Sequence, residues 1–163
     1  MLGHSVTHIP SLDVFRSHAD RWDQLWSRSE VTAPTARSEL IAQWVRHFDF
    51  TRGFQAVAIC EGDRFVGALP LVVRRKRSVI ECKDIPGNAW SSAGQLLLDP
   101  AANISRVCDL LVAELVNLPA PTYWFDAIPV NAPRWRALTA AASRAHLAVN
   151  VGPRYPVGRI RPA

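Results

Sequence analysis

No segment of this 163-residue sequence is apolar for long enough to cross a membrane. The longest wholly apolar run covers about residues 68–73, where a spanning helix needs about 20. The start, Met1-Leu2-Gly3-His4-Ser5, lacks the basic-then-apolar order of a secretory signal, so a cytoplasmic location is the expectation. Cysteine is scarce. Cys60, Cys82 and Cys108 are odd in number, lie among apolar neighbours and show no CxxC spacing, which excludes a disulfide framework or zinc site and leaves buried thiols. No Gly-x-Ser-x-Gly, Walker or Rossmann pattern occurs, so the common hydrolase and nucleotide-binding signatures are missing. Internal repeats and flexible linkers are absent too. His4 and His8 are four apart on one strand face, but no third ligand accompanies them, and no metal site is expected.

Apolar residues make up 48% of the chain and charged residues 20%, with six tryptophans spread along it. That composition belongs to a globular chain with a packed core, and the length suits one domain. The net charge of +5 comes almost entirely from arginine, since Lys76 and Lys83 are the only lysines. A cationic surplus favours anionic partners in general. The cations are scattered apart from Arg74-Arg75-Lys76-Arg77 and the tail arginines Arg154, Arg159 and Arg161. A nucleic-acid footprint needs a face or stripe of charge, so nucleic acid is not the expected partner.

Periodicity sets the element order. Residues 4–9 can open the chain as a strand. Pro10-Ser11 then starts a helix, capped by Ser11 or Asp13, on which Phe15, His18, Trp22, Leu25 and Trp26 share one face up to about Ser29. After Thr32-Ala33-Pro34-Thr35, a second stripe of Leu40, Ile41, Trp44, Val45 and Phe48 predicts a helix over about 36–49. Trp22, Trp26, Trp44 and Phe48 should pack both helices on the sheet. Residues 55–60 and 64–74 pair as an antiparallel hairpin across Glu61-Gly62-Asp63. Pro70 cannot donate to a ladder, so strand pairing should be interrupted there and leave a cleft beside Asp126. Further strands are expected at 78–82, 95–98, 122–128, 147–151 and 155–160. Ile104, Val107, Cys108, Leu111, Leu115 and Leu118 mark a third helix, and Trp135, Leu138, Ala142 and Ala145 a fourth.

This order is similar to the acyltransferase fold of the GNAT superfamily. Three stretches sharpen the likeness: Trp22-Asp23-Gln24-Leu25-Trp26-Ser27-Arg28-Ser29; Thr32 to Arg37 leading into Ile41-Ala42-Gln43-Trp44-Val45-Arg46-His47-Phe48; and the Glu61-Gly62-Asp63-Arg64-Phe65-Val66-Gly67-Ala68-Leu69-Pro70-Leu71 hairpin. They resemble the N-terminal half of CelD-like and FemAB-like proteins, which carry two such domains in tandem. The resemblance implies an α/β (α+β) fold with a mixed, mainly antiparallel central sheet and about four helices. It also implies one domain over residues 1–163, as the N-terminal half of a longer two-domain protein, with a second GNAT-like domain or another copy as partner. The activity implied is N-acyl transfer from acetyl-CoA, another acyl-CoA or an aminoacyl donor to a small-molecule amine, with the acyl-CoA a co-substrate that is not tightly held.

Such a transferase needs backbone N–H groups at a helix N-terminus for the pyrophosphate, a base for the amine and an acid for the departing thiolate. In the superfamily an Arg/Gln-x-x-Gly-x-Gly/Ala loop supplies the first. The corresponding stretch here, Leu98-Asp99-Pro100-Ala101-Ala102-Asn103-Ile104-Ser105-Arg106, has no glycine and places a carboxylate where an anion should be welcome. Asn103 and Arg106 are the remaining candidates for cofactor contacts, and the isolated chain is expected to bind acetyl-CoA weakly or not at all. Asp126 and Glu81 are the candidate bases, and Tyr123 is the candidate acid. Asn88, Trp90, Ser91 and Ser92 make residues 86–94 a candidate ligand loop. The Arg74–Arg77 cluster reads as a solvated hairpin tip or an anion contact. This half would then be a scaffold or acceptor-side wall, the alternatives being a non-catalytic interaction module or, with less support, a polyanion-binding domain.

Overall fold

In a computed structural model of the chain, residues 3–77, 79–88, 93–120 and 122–152 are described. The described elements run β1 (His4–Ile9), α1 (Leu12–Ser17), α2 (Ala19–Arg28), α3 (Ser38–His47), β2 (Gln55–Glu61), β3 (Arg64–Lys76), β4 (Ile80–Asp84), β5 (Leu97–Leu98), α4 (Ile104–Asn117) and α5 (Pro133–Arg144). This is the expected mixed α/β architecture, with a sheet of five strands whose named pairings are all antiparallel.

The strands lie in the order β1-β2-β3-β4, with β5 also paired to β3. β3 is the long central strand. Its first half pairs β5 (Gly67 with Leu98, Ala68 with Leu97) and its second half pairs β4 (Val72 with Asp84 through Lys76 with Ile80). Residues 69–71 face neither. The β2 ladder, by contrast, runs through Ala56 opposite Pro70 without a break, and its one irregularity falls at Ile59/Cys60. Pro70 therefore interrupts one edge of β3 only. A proline can sit there because its pair with Ala56 can be of the non-hydrogen-bonded kind, with the ring nitrogen turned to the outer edge.

Helices cover both faces. α1, α2 and α3 enclose a core of Phe15, Trp22, Leu25, Ile41, Val45 and Phe65. α4 and α5 enclose Val66, Leu69, Leu96, Leu111 and Trp135 on the other face. At Gly67 the α4 layer comes so close that a Cβ would lie 2.3 Å from Val107 Cγ1.

Five expectations are corrected. The first predicted helix is two, broken at His18. Seven residues span about 10.5 Å along a straight helix, whereas the break brings the Phe15 and Trp22 rings to 4.8 Å, edge to face. α3 starts at Ser38, after a 3-10 turn at Pro34–Ala36, because Asp23 of α2 accepts the Ser38 N–H at 2.8 Å and so caps α3 from outside. Trp22 and Trp44 are buried and Trp26 is partly so, but Phe48 is 42% exposed, because it lies past the end of α3. The expected strand at 122–128 is reduced to one parallel bridge, Tyr123 beside Lys83. Residues 147–151 form no strand and are exposed, and 155–160 lie outside the described residues. No helix among the described residues is long and apolar enough to cross a membrane. All three cysteines are buried and free.

Candidate functional site

The turn that leads from β5 into α4 is where an acyl-CoA pyrophosphate would be sought. The Ala101, Ala102 and Arg106 N–H groups of this stretch are already engaged. Asp99 is 1% exposed, and its carboxylate accepts the Ala101 N–H at 3.0 Å, while its carbonyl accepts the Ala102 N–H at 3.1 Å. Asn103 caps α4 by accepting the Arg106 N–H at 3.1 Å. The Arg106 side chain is exposed. The chain's own carboxylate thus lies in the turn that precedes α4, and Arg28, the last residue of α2, neutralises it with Nε at 2.8 Å while also donating to the Phe65 carbonyl at 2.9 Å. Burial pushes the Asp99 pKa up, but the Arg28 and Ala101 hydrogen bonds and the charges of Arg28 and Arg64 outweigh it and hold the group below its ordinary value. The residues present do not fit an acyl-CoA pyrophosphate here.

The candidate base and acid residues lie at the other end of β3. Asp84, 2% exposed, receives Lys76 Nζ at 2.9 Å, the Ile85 N–H at 2.9 Å and the Asp126 N–H at 3.2 Å, with Arg74 Nε at 3.6 Å. Lys76 also reaches Asp126 at 3.4 Å. Asp126 is therefore one carboxylate of a cross-linked junction that ties the Tyr123 segment to β3 and β4. Glu81 is exposed and lines a hollow of about 350 Å³ with Phe50, Arg74, Arg75 and Lys76. Tyr123 turns instead to α4. Its hydroxyl donates to the Leu115 carbonyl at 2.6 Å, and burial pushes its pKa up to about 12. The basic cluster is split by the strand alternation: Lys76 and Arg74 fold inward, and Arg75 and Arg77 stay exposed.

A larger hollow, about 610 Å³, lies along α3. Leu40, Trp44 and Phe48 supply its apolar surface, Arg46 its cation and His47 an imidazole, and Thr35 and Ala93 complete the lining. The Gly94 N–H donates to the Thr35 carbonyl at 3.1 Å and fixes that wall. Gly94 has φ +83°, and a Cβ would meet Pro70 Cγ at 2.9 Å, so the position requires glycine. In the candidate ligand loop Asn88 is half-buried, and Trp90, Ser91 and Ser92 lie outside the described residues.

Several connecting residues escaped the sequence reading. Arg28 and Asp84 are the charged hubs of the two ends, and Arg134 of α5 binds Glu30 at 3.0 Å and Gln95 at 3.4 Å. The Arg28 and Arg134 partnerships join residues far apart in the chain, so no local spacing announces them, while Lys76 and Asp84, eight apart, meet through the β3–β4 register. The one available signal was Asp99, a carboxylate directly after the apolar run Leu96-Leu97-Leu98. Among the described residues no group of three His, Cys, Asp or Glu is placed to hold a metal.

No protein-family model matches the chain, and no curated protein matches it. Solved structures do. An aminoglycoside antibiotic 6'-N-acetyltransferase from Acinetobacter baumannii superposes with a TM-score of 0.56 at 12% identity, covering 98% of this chain and 100% of that one. An aminoglycoside N-acetyltransferase in complex with CoA gives 0.54 at 8% identity over 97% of this chain and 96% of that one. An aminoglycoside acetyltransferase from an uncultured soil metagenomic sample, in complex with sisomicin, gives 0.52 at 11% over 96% and 97%. The chain has the GNAT acetyltransferase fold. At these identities the likeness is one of fold, and it spans at least 96% of both chains in each case.

Proposed function

We propose that this chain is an N-acyltransferase-type domain of the CelD-like or FemAB-like kind, contributing fold and acceptor-side wall to acyl transfer onto an amine while the acyl-CoA is held by a partner domain. The observation that carries this reading is the Asp99 carboxylate in the turn before α4, buried against Arg28 and holding the Ala101 N–H. Those contacts occupy groups that a phosphate would need, whereas an anion-binding helix N-terminus offers free N–H groups and its positive dipole end. The superposition on acetyltransferases supports the class of fold, and the α3 hollow is the space this reading assigns to the acceptor. An amine acceptor follows from that class.

Calorimetric titration of the chain with acetyl-CoA at physiological salt tests the reading, since surface charge is then screened beyond about 8 Å. The expected result is no saturable heat. Saturable micromolar binding by the unaltered chain would make it a donor-binding enzyme and overturn the proposal. Desulfo-CoA and the Asp99→Gly variant are controls, and binding gained only in the variant would support the view that the carboxylate blocks the site.

A second reading, a non-catalytic interaction module, is favoured by Leu147, Val149 and Val151, which are 41%, 42% and 55% exposed in a strand-like alternation. Light scattering separates it, because an interaction module of this kind should self-associate or co-elute with its partner, and replacing Val149 and Val151 by Ser should abolish that.

A further inference from the structure

α3 carries two stripes. Ser38, Ile41, Ala42 and Val45 face the core. Leu40, Gln43, His47 and Phe48 line the 610 Å³ hollow instead, and Trp44, itself buried in the core, reaches it from beneath. Apolar side chains are left open on a helix that has already buried its core face, with Leu40 at 37% and Phe48 at 42% exposure. The hollow also has a built floor. Trp44 stacks on Phe50 with ring centroids 5.4 Å apart and planes at 6°, and it meets Phe48 at 4.8 Å. Behind this stack the Arg74 guanidinium lies 5.5 Å from the Trp44 ring and 5.0 Å from Phe50. His47 packs edge-on against Phe48 at 4.8 Å, which fixes the rim.

The one charged side chain that lines the hollow among the described residues is Arg46, with the His47 imidazole beside it as a further hydrogen-bonding group. The nearest acidic neighbours on the same element are Glu39, which accepts a hydrogen bond from Gln43 at 3.0 Å, and Asp49, beyond the end of the helix. On the opposite wall, Thr35 and Ala93 carry no charge. A pocket of a few hundred Å³, apolar and aromatic with a small number of convergent polar groups, has the form of a small-molecule site. A cationic ligand would be repelled at this rim, and a neutral apolar one would leave both donors without a partner.

We propose that the hollow binds a small carboxylate with an aromatic or branched apolar body. Its body lies on Leu40, Trp44 and Phe48, and its carboxylate meets Arg46 and His47. As a pocket for the acyl acceptor this rests on the acyltransferase reading above, but as a binding site it stands without it.

The test is a calorimetric titration of the whole chain with 3-phenylpropionate, its amide and spermidine. Saturable binding of the carboxylate is expected, with the amide about tenfold or more weaker, since a charge-assisted hydrogen bond is lost, and no heat from spermidine. Arg46→Glu should remove about tenfold or more of the carboxylate affinity and leave the weak amide binding unchanged. Phe48→Ser should weaken both. Arg46 and Phe48 are exposed, so circular dichroism should show both variants folded. No saturable carboxylate binding, equal affinity for acid and amide, or an Arg46→Glu variant that binds like the unaltered chain would each overturn the assignment. The acetyl-CoA titration is independent: donor binding there would sink the scaffold reading and leave this site standing, and failure here would do the reverse.

Discussion

Gly67 and Val107 show how little room the packing leaves at single positions. A methyl group at Gly67 would sit 2.3 Å from Val107 Cγ1, in a core where Val107 is fully buried. Gly67→Ala should therefore cost about 1–3 kcal/mol by overpacking, and Val107→Ala in the same chain should return part of that loss, so a denaturation double-mutant cycle should give a favourable coupling. Asp99 offers a pH-dependent counterpart. Its pKa is lowered from 3.8 in the folded chain, so its ionised form contributes stability that is fully present above 3.8 and lost as pH falls through the lower folded value. Asp99→Asn should be destabilised at neutral pH, by about 3 kcal/mol for a broken buried pair. Its deficit against the unaltered chain should shrink in urea titrations below pH 3.8. The sequence already marked Asp99 as hostile to an anion at that turn. It could not show Arg28 coming from the end of α2 to hold it, because that contact exists only once α2 has packed across β3. Asp126 was legible as a carboxylate in need of a partner, and that need is met by Lys76 at 3.4 Å.

Elements were most legible where the periodic face and the buried face coincide. α4 and α5 and the β2–β3 hairpin follow their sequence signals closely. The misreadings arose where tertiary contact overrode pattern. A continuous stripe through Phe15 and Trp22 hid the break at His18, and Leu40 and Phe48 looked like core because a single helix can carry two apolar stripes. The consequence is measurable: Trp22→Ala should cost about 3–5 kcal/mol, a large fraction of the total for a domain of this size. Phe48→Ala, at 42% exposure, should fall well short of it in the same denaturant experiment. At Pro70 the structure changes the sense of the sequence argument. Pairing with β2 persists, so Pro70→Val should keep that ladder, yet it adds an N–H directed at the gap between β5 and β4 and removes the ring that packs beneath Gly94. Leaving a buried donor without a partner costs about 1–3 kcal/mol, and thermal unfolding should show a destabilised variant instead of a neutral one. At the end of α5, His146 has φ +57°, and the Leu147 N–H donates back to the Ala142 carbonyl at 3.0 Å. That is a helix stop favouring glycine, so His146→Gly should raise the melting temperature slightly.

For the molecule as a whole, the strand order carries a consequence for the route by which the chain reaches this structure. β2 and β3 are joined by the short Glu61-Gly62-Asp63 link and can pair as soon as both exist. β1 has to return across α1, α2 and α3 to place Ile9 opposite Ala56 and His4 opposite Glu61. Closing the longer loop costs more chain entropy before any contact rewards it. The hairpin and the helices packed on it should accordingly be formed in the folding transition state, with β1 docking on the downhill side. Substitutions in the hairpin core, such as Ile59→Val, should slow refolding, whereas Ile9→Val in β1 should leave the refolding rate nearly unchanged and accelerate unfolding. Stopped-flow chevrons of the two variants would show the reverse pattern if β1 were part of the nucleus.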